Sequence, residues 1–170
     1  MAEVFWLKEN PPFPNHPLPV IYYPQALKEL LENSSNGGED VKAFFKENGY
    51  SNGWINGIHD YHHYHSNTHE VLGCVSGTAV VQLGGPHSDE VTVTKGDVIL
   101  LPAGVAHKRI SASEDFSVVG AYPNDLSPDM QLGDAVDYER VQKRSYDVPV
   151  PDTDPVSKKS GAVKEYWAME

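Results

Sequence analysis

Seven short segments rich in apolar residues follow one another between Trp54 and Tyr122, and turn-forming residues separate them. Glycine, proline, aspartate and serine supply these breaks, so the pattern predicts strands joined by short connections. Evenly spaced strands of this kind are typical of an all-β sandwich or barrel. The predicted strands are Trp54–Tyr64, Glu70–Val75, Thr78–Leu83, Glu90–Thr94, Val98–Leu101, His107–Ser111 and Phe116–Tyr122.

The first third of the chain predicts elements that cover this β region. Five prolines within residues 11–19 exclude a helix and favour an extended arm, which leads into a strand at Leu18–Tyr23. A short helix is predicted at Gln25–Glu32, where leucines recur at helical spacing. A longer helix is predicted at Glu39–Asn48, because acidic residues open it and Gly49 follows its end.

The tail from Asn124 onward is rich in proline, aspartate and serine. We expect it to wrap the barrel surface as far as Glu165-Tyr166-Trp167. No internal repeat or second domain is visible, so we expect one domain in three parts. Residues 1–53 form an arm, a strand and a helix packed on the barrel, 54–123 form the barrel core, and 124–170 form the wrapping tail.

Histidines are concentrated in one short segment: five of the eight lie between His59 and His69, and Glu70 follows at once. His63 and His65 are two residues apart, so on a strand both side chains leave the same face. His107 opens a later strand after a Pro-Ala-Gly turn and offers a further ligand. Imidazole and carboxylate groups together suit Fe, Mn, Ni, Cu and Zn, so these residues predict a site for a divalent transition metal.

The same residues resemble the two sequence motifs of the cupin superfamily. The first motif, G-x5-H-x-H-x4-E-x6-G, is matched by Gly57, His63, His65, Glu70 and Gly77. The second motif, G-x5-P-x-G-x2-H-x3-N, is matched by Gly96, Pro102, Gly104 and His107, whereas Ser111 replaces the asparagine. Other segments are similar to small single-domain cupins, the YjlB-like proteins: Asn56-Gly57, His62-His63-Tyr64-His65, Gly120-Ala121-Tyr122-Pro123 and Pro151-Asp152-Thr153-Asp154-Pro155-Val156.

This resemblance implies the fold and the metal ligands. The cupin fold is a double-stranded β-helix, or jelly-roll barrel, and one or two flanking helices are expected here. One divalent metal ion is expected per chain, held by His63, His65, Glu70 and His107. Three histidines and one glutamate leave two octahedral positions open for water, dioxygen or a chelating substrate.

Strand alternation also nominates residues that bind a substrate. Arg109 and Ser111 share the predicted face of His107, and Tyr61 shares that of His63. An arginine beside a metal fits a clamp for a substrate carboxylate, but a structural ion pair with an internal acid explains it equally well. The roles of His59, His62 and His69 stay open, although alternation directs His62 and His69 away from the ligands.

The composition and the sequence pattern bear on the partners and the compartment of the protein. A net charge of −11 repels phosphate backbones, so nucleic acid is not an expected partner. The sequence has no membrane-spanning stretch, no secretory leader and a single cysteine, which indicates a cytoplasmic protein. Apolar residues in the first 23 positions suggest a homodimer.

The first functional hypothesis is a mononuclear non-haem metal enzyme that acts on a small molecule. Such an enzyme is either a dioxygenase or a Lewis-acid isomerase, decarboxylase or lyase. Its substrate is expected to be anionic if Arg109 binds it. The second hypothesis is a non-catalytic cupin that binds a metal or a small ligand, as a sensor or a storage protein does. The fold hosts many reactions and does not choose between these hypotheses.

Overall fold

Two antiparallel sheets face each other at the centre of the structure, a computed structural model that describes residues 2–168. The larger sheet has the strand order β1-β2-β7-β4-β9-β3 and the smaller has the order β6-β5-β8. The predicted all-β class and barrel architecture are confirmed. The strands are β1 (Glu3–Phe5), β2 (Val20–Tyr23), β3 (Tyr50–Asn56), β4 (Glu70–Ser76), β5 (Thr78–Leu83), β6 (Glu90–Thr94), β7 (Val98–Leu101), β8 (His107–Ala112) and β9 (Ser117–Pro123).

The central strands of the larger sheet are buried on both faces, which explains the uninterrupted apolar sequence of β7. Along β7, Val98 and Leu100 pack toward the flanking helices, while Ile99 and Leu101 face the barrel interior. A strand covered on both sides needs apolar residues at every position. Cys74 on β4 is also fully buried, and burial raises the pKa of its thiol to about 12. It therefore packs as a small apolar side chain.

Helices flank the barrel. Those in residues 2–168 are α1 (Lys28–Glu32), α2 (Gly37–Glu47), α3 (Tyr138–Tyr146) and α4 (Ala162–Tyr166). Residues of α1, α2 and α4 pack on the outer face of the larger sheet, whereas Val141 of α3 packs against Phe13, Tyr64 and Ala106. None of them is long and apolar enough to cross a membrane. The longer helix predicted from the sequence is α2, and its buried Phe45 packs directly over Gly73 of β4.

Helix α3 was not predicted, because the proline and aspartate content of the tail indicated an irregular wrap. Its boundary signals are nevertheless present in the sequence. The side chain of Asp137 accepts a hydrogen bond from the backbone N–H of Arg140, and Glu139 lies in the first turn. Lys143 and Arg144 lie in the last turn, where cations complement the helix dipole.

The predicted strand Trp54–Tyr64 is wrong beyond Asn56, where β3 ends. The following segment makes two isolated bridges, His63 with His107 and Tyr64 with Gln131. Neighbouring residues thus pair with different partners, so no continuous ladder forms. The backbone there is extended without belonging to either sheet.

The N-terminal arm completes the larger sheet, because β1 pairs with β2 and β2 pairs with β7. Val20 and Ile21 are fully buried within the chain itself, whereas Trp6 is 63% exposed. The apolar side chains of β2 are therefore buried without a second protein chain. The homodimer stays a prediction that now depends on the exposed residues of the arm.

His16 in this arm is a buried histidine that is held neutral. Its Nδ1 accepts a hydrogen bond of 2.9 Å from the backbone N–H of Leu18, and its ring packs against Tyr146. Burial lowers its pKa from 6.5 to about 4. Protonation would also place two donors, Nδ1–H and the Leu18 N–H, against each other.

His16 therefore predicts a loss of stability in acid. Because the unfolded state binds this proton more readily, its contribution is present above pH 6.5 and is lost as the pH falls toward 4. The two pKa values correspond to a loss of about 2 kcal/mol between pH 7.5 and pH 5. We expect His16→Gln to reduce the pH dependence of the unfolding free energy by about that amount in urea titrations with a chelator present.

The matched control is His87→Gln, since His87 is exposed in a loop. This variant should keep the wild-type pH dependence. An equal loss of stability in acid for His16→Gln and the wild type would show that His16 does not contribute it.

Candidate metal centre

Three histidines and one glutamate converge inside the barrel. The ligand nitrogens of His63, His65 and His107 all lie within 4.8 Å of one another, and the three residues are buried. The Oε1 atom of Glu70 lies 3.3 Å from Nε2 of His65 and 3.4 Å from Nε2 of His107. Two strand starts hold the group together, because Glu70 begins β4 in the larger sheet and His107 begins β8 in the smaller one.

Backbone carbonyls fix the orientation of all three imidazole rings. A carbonyl oxygen can only accept, so each Nδ1 must carry the hydrogen and each neutral ring keeps a lone pair on Nε2. Metal-ligating histidines are typically oriented in this way. The three bonds run from His63 Nδ1 to Tyr61 O (3.0 Å), from His65 Nδ1 to Asp129 O (2.6 Å) and from His107 Nδ1 to Val105 O (3.1 Å).

This arrangement fits a divalent transition metal. The Nε2 lone pairs of His65 and His107 both face Glu70 Oε1, so acceptors point at an acceptor. Only a cation or a proton between them makes this arrangement favourable. Three imidazoles and one carboxylate form a donor set that suits first-row divalent ions.

The pKa shifts show how these residues share charge. Burial, followed by the neighbouring His107, lowers the pKa of His63 to about 2, so this ring stays neutral. Burial also lowers the pKa of His65, but the Glu70 carboxylate outweighs it and leaves that pKa above 6.5. Burial raises the pKa of Glu70, yet His65 and His107 hold it well below its ordinary value.

A cavity of about 320 Å³ opens onto the four residues. Apolar side chains form much of its wall, and no cationic side chain lines it in the part of the chain that the structure describes. Its volume lies at the lower end of the range for small-molecule sites. The lining residues other than the four are Trp54, Ile55, Asn56, Gly57, Ile58, His59, Leu72, Tyr122, Pro128, Asp129 and Met130.

The three residues predicted to bind substrate lie outside the cavity wall. Arg109 places Nη2 3.8 Å from Asp60 Oδ2 and donates from Nη1 to the Ile58 carbonyl at 3.3 Å. This position favours the structural alternative, an ion pair, over the clamp. Tyr61 is 42% exposed; its backbone carbonyl orients His63, and its ring packs against the rings of His59 and His63.

Ser111 lies on the outer side of the smaller sheet because of a β-bulge. Val81 pairs with Arg109 and Val80 pairs with Ser111, so Ile110 is an extra residue on β8. An extra residue reverses the alternation of the side chains beyond it. Ser111 therefore does not share the face of His107, as strand alternation had predicted, and its side chain is exposed.

The other histidines of the segment are not ligands in this geometry. His59 lines the cavity and stacks on Tyr61, with ring centroids 4.7 Å apart. His62 packs against Phe13. His69 accepts a hydrogen bond from the backbone N–H of Ala103 at Nδ1, and its Nε2 bonds the Pro149 carbonyl.

Sequence reasoning missed three residues of the site. Trp54 forms part of the cavity wall. Tyr122 lies near the end of β9, and burial followed by the Glu70 charge raises its pKa, so its hydroxyl keeps the proton. Asp129 belongs to the tail, and its carbonyl orients His65. The segment Gly120-Ala121-Tyr122-Pro123 was the one signal in the sequence for Tyr122.

Comparison with known proteins agrees with this architecture. The sequence profile of the cupin domain matches residues 55–119. The uncharacterized protein YjlB of Bacillus subtilis (strain 168) is 36% identical over 169 residues, which cover 98% of this chain and 96% of YjlB.

Two solved structures share parts of the fold. Acireductone dioxygenase from Bacillus anthracis, with a cadmium ion in its active centre, is 19% identical, with a TM-score of 0.41 over 64% of this chain and 80% of that one. A DUF861 family protein from Thermotoga maritima is 19% identical, with a TM-score of 0.32 over 61% and 96%. Likeness at this level says nothing about the activity of this chain.

Proposed function

This chain belongs to the YjlB-like cupins, and we propose that it is a mononuclear metal protein, and specifically an enzyme, that acts on a small molecule. One observation carries the proposal: the ligand nitrogens of three buried imidazoles lie within 4.8 Å of one another, and two of these rings face the Glu70 carboxylate at the wall of a cavity. A proton can join Glu70 to one of the rings, whereas a divalent cation can accept the lone pairs of all four groups together. We propose that His63, His65, Glu70 and His107 are its ligands.

The cavity indicates the class of substrate. A divalent ion and the Glu70 carboxylate leave a single net positive charge, since the other acid of the wall, Asp129, is paired with Arg144. No lysine or arginine of the described residues lies in the cavity wall. This charge favours one anionic oxygen or a neutral carbonyl group and disfavours phosphates and dicarboxylates. The apolar part of the wall, which includes Trp54, Leu72 and Met130, fits an uncharged body. We therefore propose a neutral or singly charged molecule with its oxygen atoms at one end.

The protein residues bind and orient this molecule. The apolar wall excludes water from the bound body, and the four residues would hold the ion that attracts its oxygen end. A bound divalent ion would supply Lewis-acid polarisation or, if it is iron, redox chemistry. The identity of the metal thus separates an isomerase or lyase from a dioxygenase.

Metal analysis of the protein purified without a histidine tag tests the proposal. We expect about one equivalent of a first-row divalent ion per chain, and a chelator should remove it. The reloaded protein is then assayed on a panel of small β-dicarbonyl and hydroxy-carbonyl compounds, with oxygen uptake and isomer formation as the two readouts. The chelated protein is the control.

Three outcomes are distinguishable. Turnover that needs the metal supports the enzyme. Binding of panel compounds to the metal-loaded protein without turnover would identify the non-catalytic alternative. Failure of Zn²⁺, Co²⁺, Mn²⁺ and Fe²⁺ to bind at micromolar concentration would overturn the metal site itself.

A further inference from the structure

Tyr122 lies on β9, between Trp54 on β3 and Glu70 on β4, and all three residues line the cavity. Trp54 Nε1–H donates a hydrogen bond of 2.7 Å to the Tyr122 oxygen. An indole N–H can only donate, so the tyrosine oxygen accepts there and its own proton is directed elsewhere. An ionised carboxylate can only accept, which suits Glu70 on the neighbouring strand as the partner of that proton.

The strand register brings Trp54, Tyr122 and Glu70 next to one another. Leu72 on β4 pairs with Gly120 on β9, and Val71 pairs with Ala121, so the next pair along brings Glu70 beside Tyr122. On the other side of β9, Trp54 of β3 also pairs with Gly120. Trp54 and Tyr122 are therefore diagonal neighbours on one face of the sheet, a spacing that large side chains can bridge.

Gly120 makes the contact between the two aromatic residues possible. A Cβ atom at this position would lie 2.2 Å from Cζ2 and 2.7 Å from Nε1 of Trp54. The indole ring thus lies across the bare backbone of Gly120 to reach the Tyr122 hydroxyl. Any larger residue would displace the ring, and the hydrogen bond to Tyr122 would be lost.

We propose that Tyr122, held in place by Trp54, is a positioning residue that orients the Glu70 carboxylate for metal binding. The inference rests on the proposed function, since it presupposes a metal ion at this site. Oε1 of Glu70 already faces the two imidazoles, and a hydrogen bond from Tyr122 to this carboxylate would restrain its rotation away from them. Outer hydrogen bonds of this kind typically change metal affinity by about 10–100-fold.

Titration of the metal-free protein with Co²⁺ tests the inference. Affinity is measured by competition with a chromophoric chelator, and the visible spectrum of bound Co²⁺ reports the ligand geometry. We expect Tyr122→Phe to weaken Co²⁺ binding by about tenfold and to change the spectrum. Trp54→Phe should act in the same direction with a smaller effect. The double variant should be no weaker than Tyr122→Phe alone, because Trp54 acts through Tyr122.

Tyr64→Phe is the matched control. Tyr64 is fully buried, lies between two of the ligands in sequence, and has a hydroxyl with no hydrogen-bond partner among residues 2–168. Its removal should leave affinity and spectrum unchanged. Wild-type affinity and spectrum in Tyr122→Phe would overturn the inference, as would equal losses in Tyr122→Phe and Tyr64→Phe. If Tyr122→Phe does not fold, Trp54→Phe decides by the same readouts. Failure of the wild type to bind Co²⁺ would instead overturn the proposed function.

Discussion

Replacing Glu70 with glutamine is expected to leave a folded protein that binds Co²⁺ or Zn²⁺ at least about 100-fold more weakly than the wild type, a larger loss than outer hydrogen bonds produce. Glutamine keeps the shape of the side chain but removes the one negative charge among the four converging groups. It also presents an amide N–H to the imidazole lone pairs, which then form a hydrogen bond in place of a metal site. Competition with a chromophoric chelator at pH 7.5 measures the change.

The control is Glu90→Gln, because Glu90 is exposed at the start of β6. It removes the same charge from the protein without touching the site, so its metal affinity should match that of the wild type. Wild-type affinity in Glu70→Gln would show that the three histidines hold the ion alone. In that case Glu70 is a neighbour of the site and not a ligand.

The convergence of the four candidate ligands could be predicted from the sequence because most of the signal is local. Three of them lie within eight positions, and alternation of an extended backbone is enough to bring His63 and His65 to one side. The prediction of a regular strand there was wrong, but the four side chains still lie close together. The bridges of His63 to His107 and of Tyr64 to Gln131 keep the backbone extended, and side-chain alternation needs nothing more.

The rest of the site depends on contacts between distant parts of the chain. Trp54 and Tyr122 are 68 residues apart and meet only through the pairing of β3 with β9. The carbonyl that orients His65 comes from Asp129 in the tail, 64 residues away. No local pattern encodes such pairings. The β-bulge at Ile110 could not be predicted either, because it arises from the pairing of β8 with β5 and not from the sequence of β8 alone.

The attachment of the tail also depends on distant contacts. Its composition indicated a segment that wraps the surface, but not which residues hold it there. Asp154 provides the attachment and is only 1% exposed. Its carboxylate accepts hydrogen bonds from the Tyr23 hydroxyl (2.8 Å) and from the backbone N–H groups of Val156 (2.8 Å), Ser157 (3.0 Å) and Val163 (3.0 Å). These bonds place Val163 and Trp167 in the core beneath the larger sheet.

Asp154→Ala is therefore expected to lower the free energy of unfolding by about 3–5 kcal/mol, since it leaves four donors without their charged acceptor. Urea unfolding of the metal-free protein at pH 7.5 measures the loss. Asp152→Ala is the matched control: it lies two residues away, is exposed, and should change stability by less than about 0.5 kcal/mol. A loss below about 1 kcal/mol in Asp154→Ala would show that the donors find water or new partners. The tail would then be held by the apolar contacts of Val163 and Trp167, and not by the buried carboxylate.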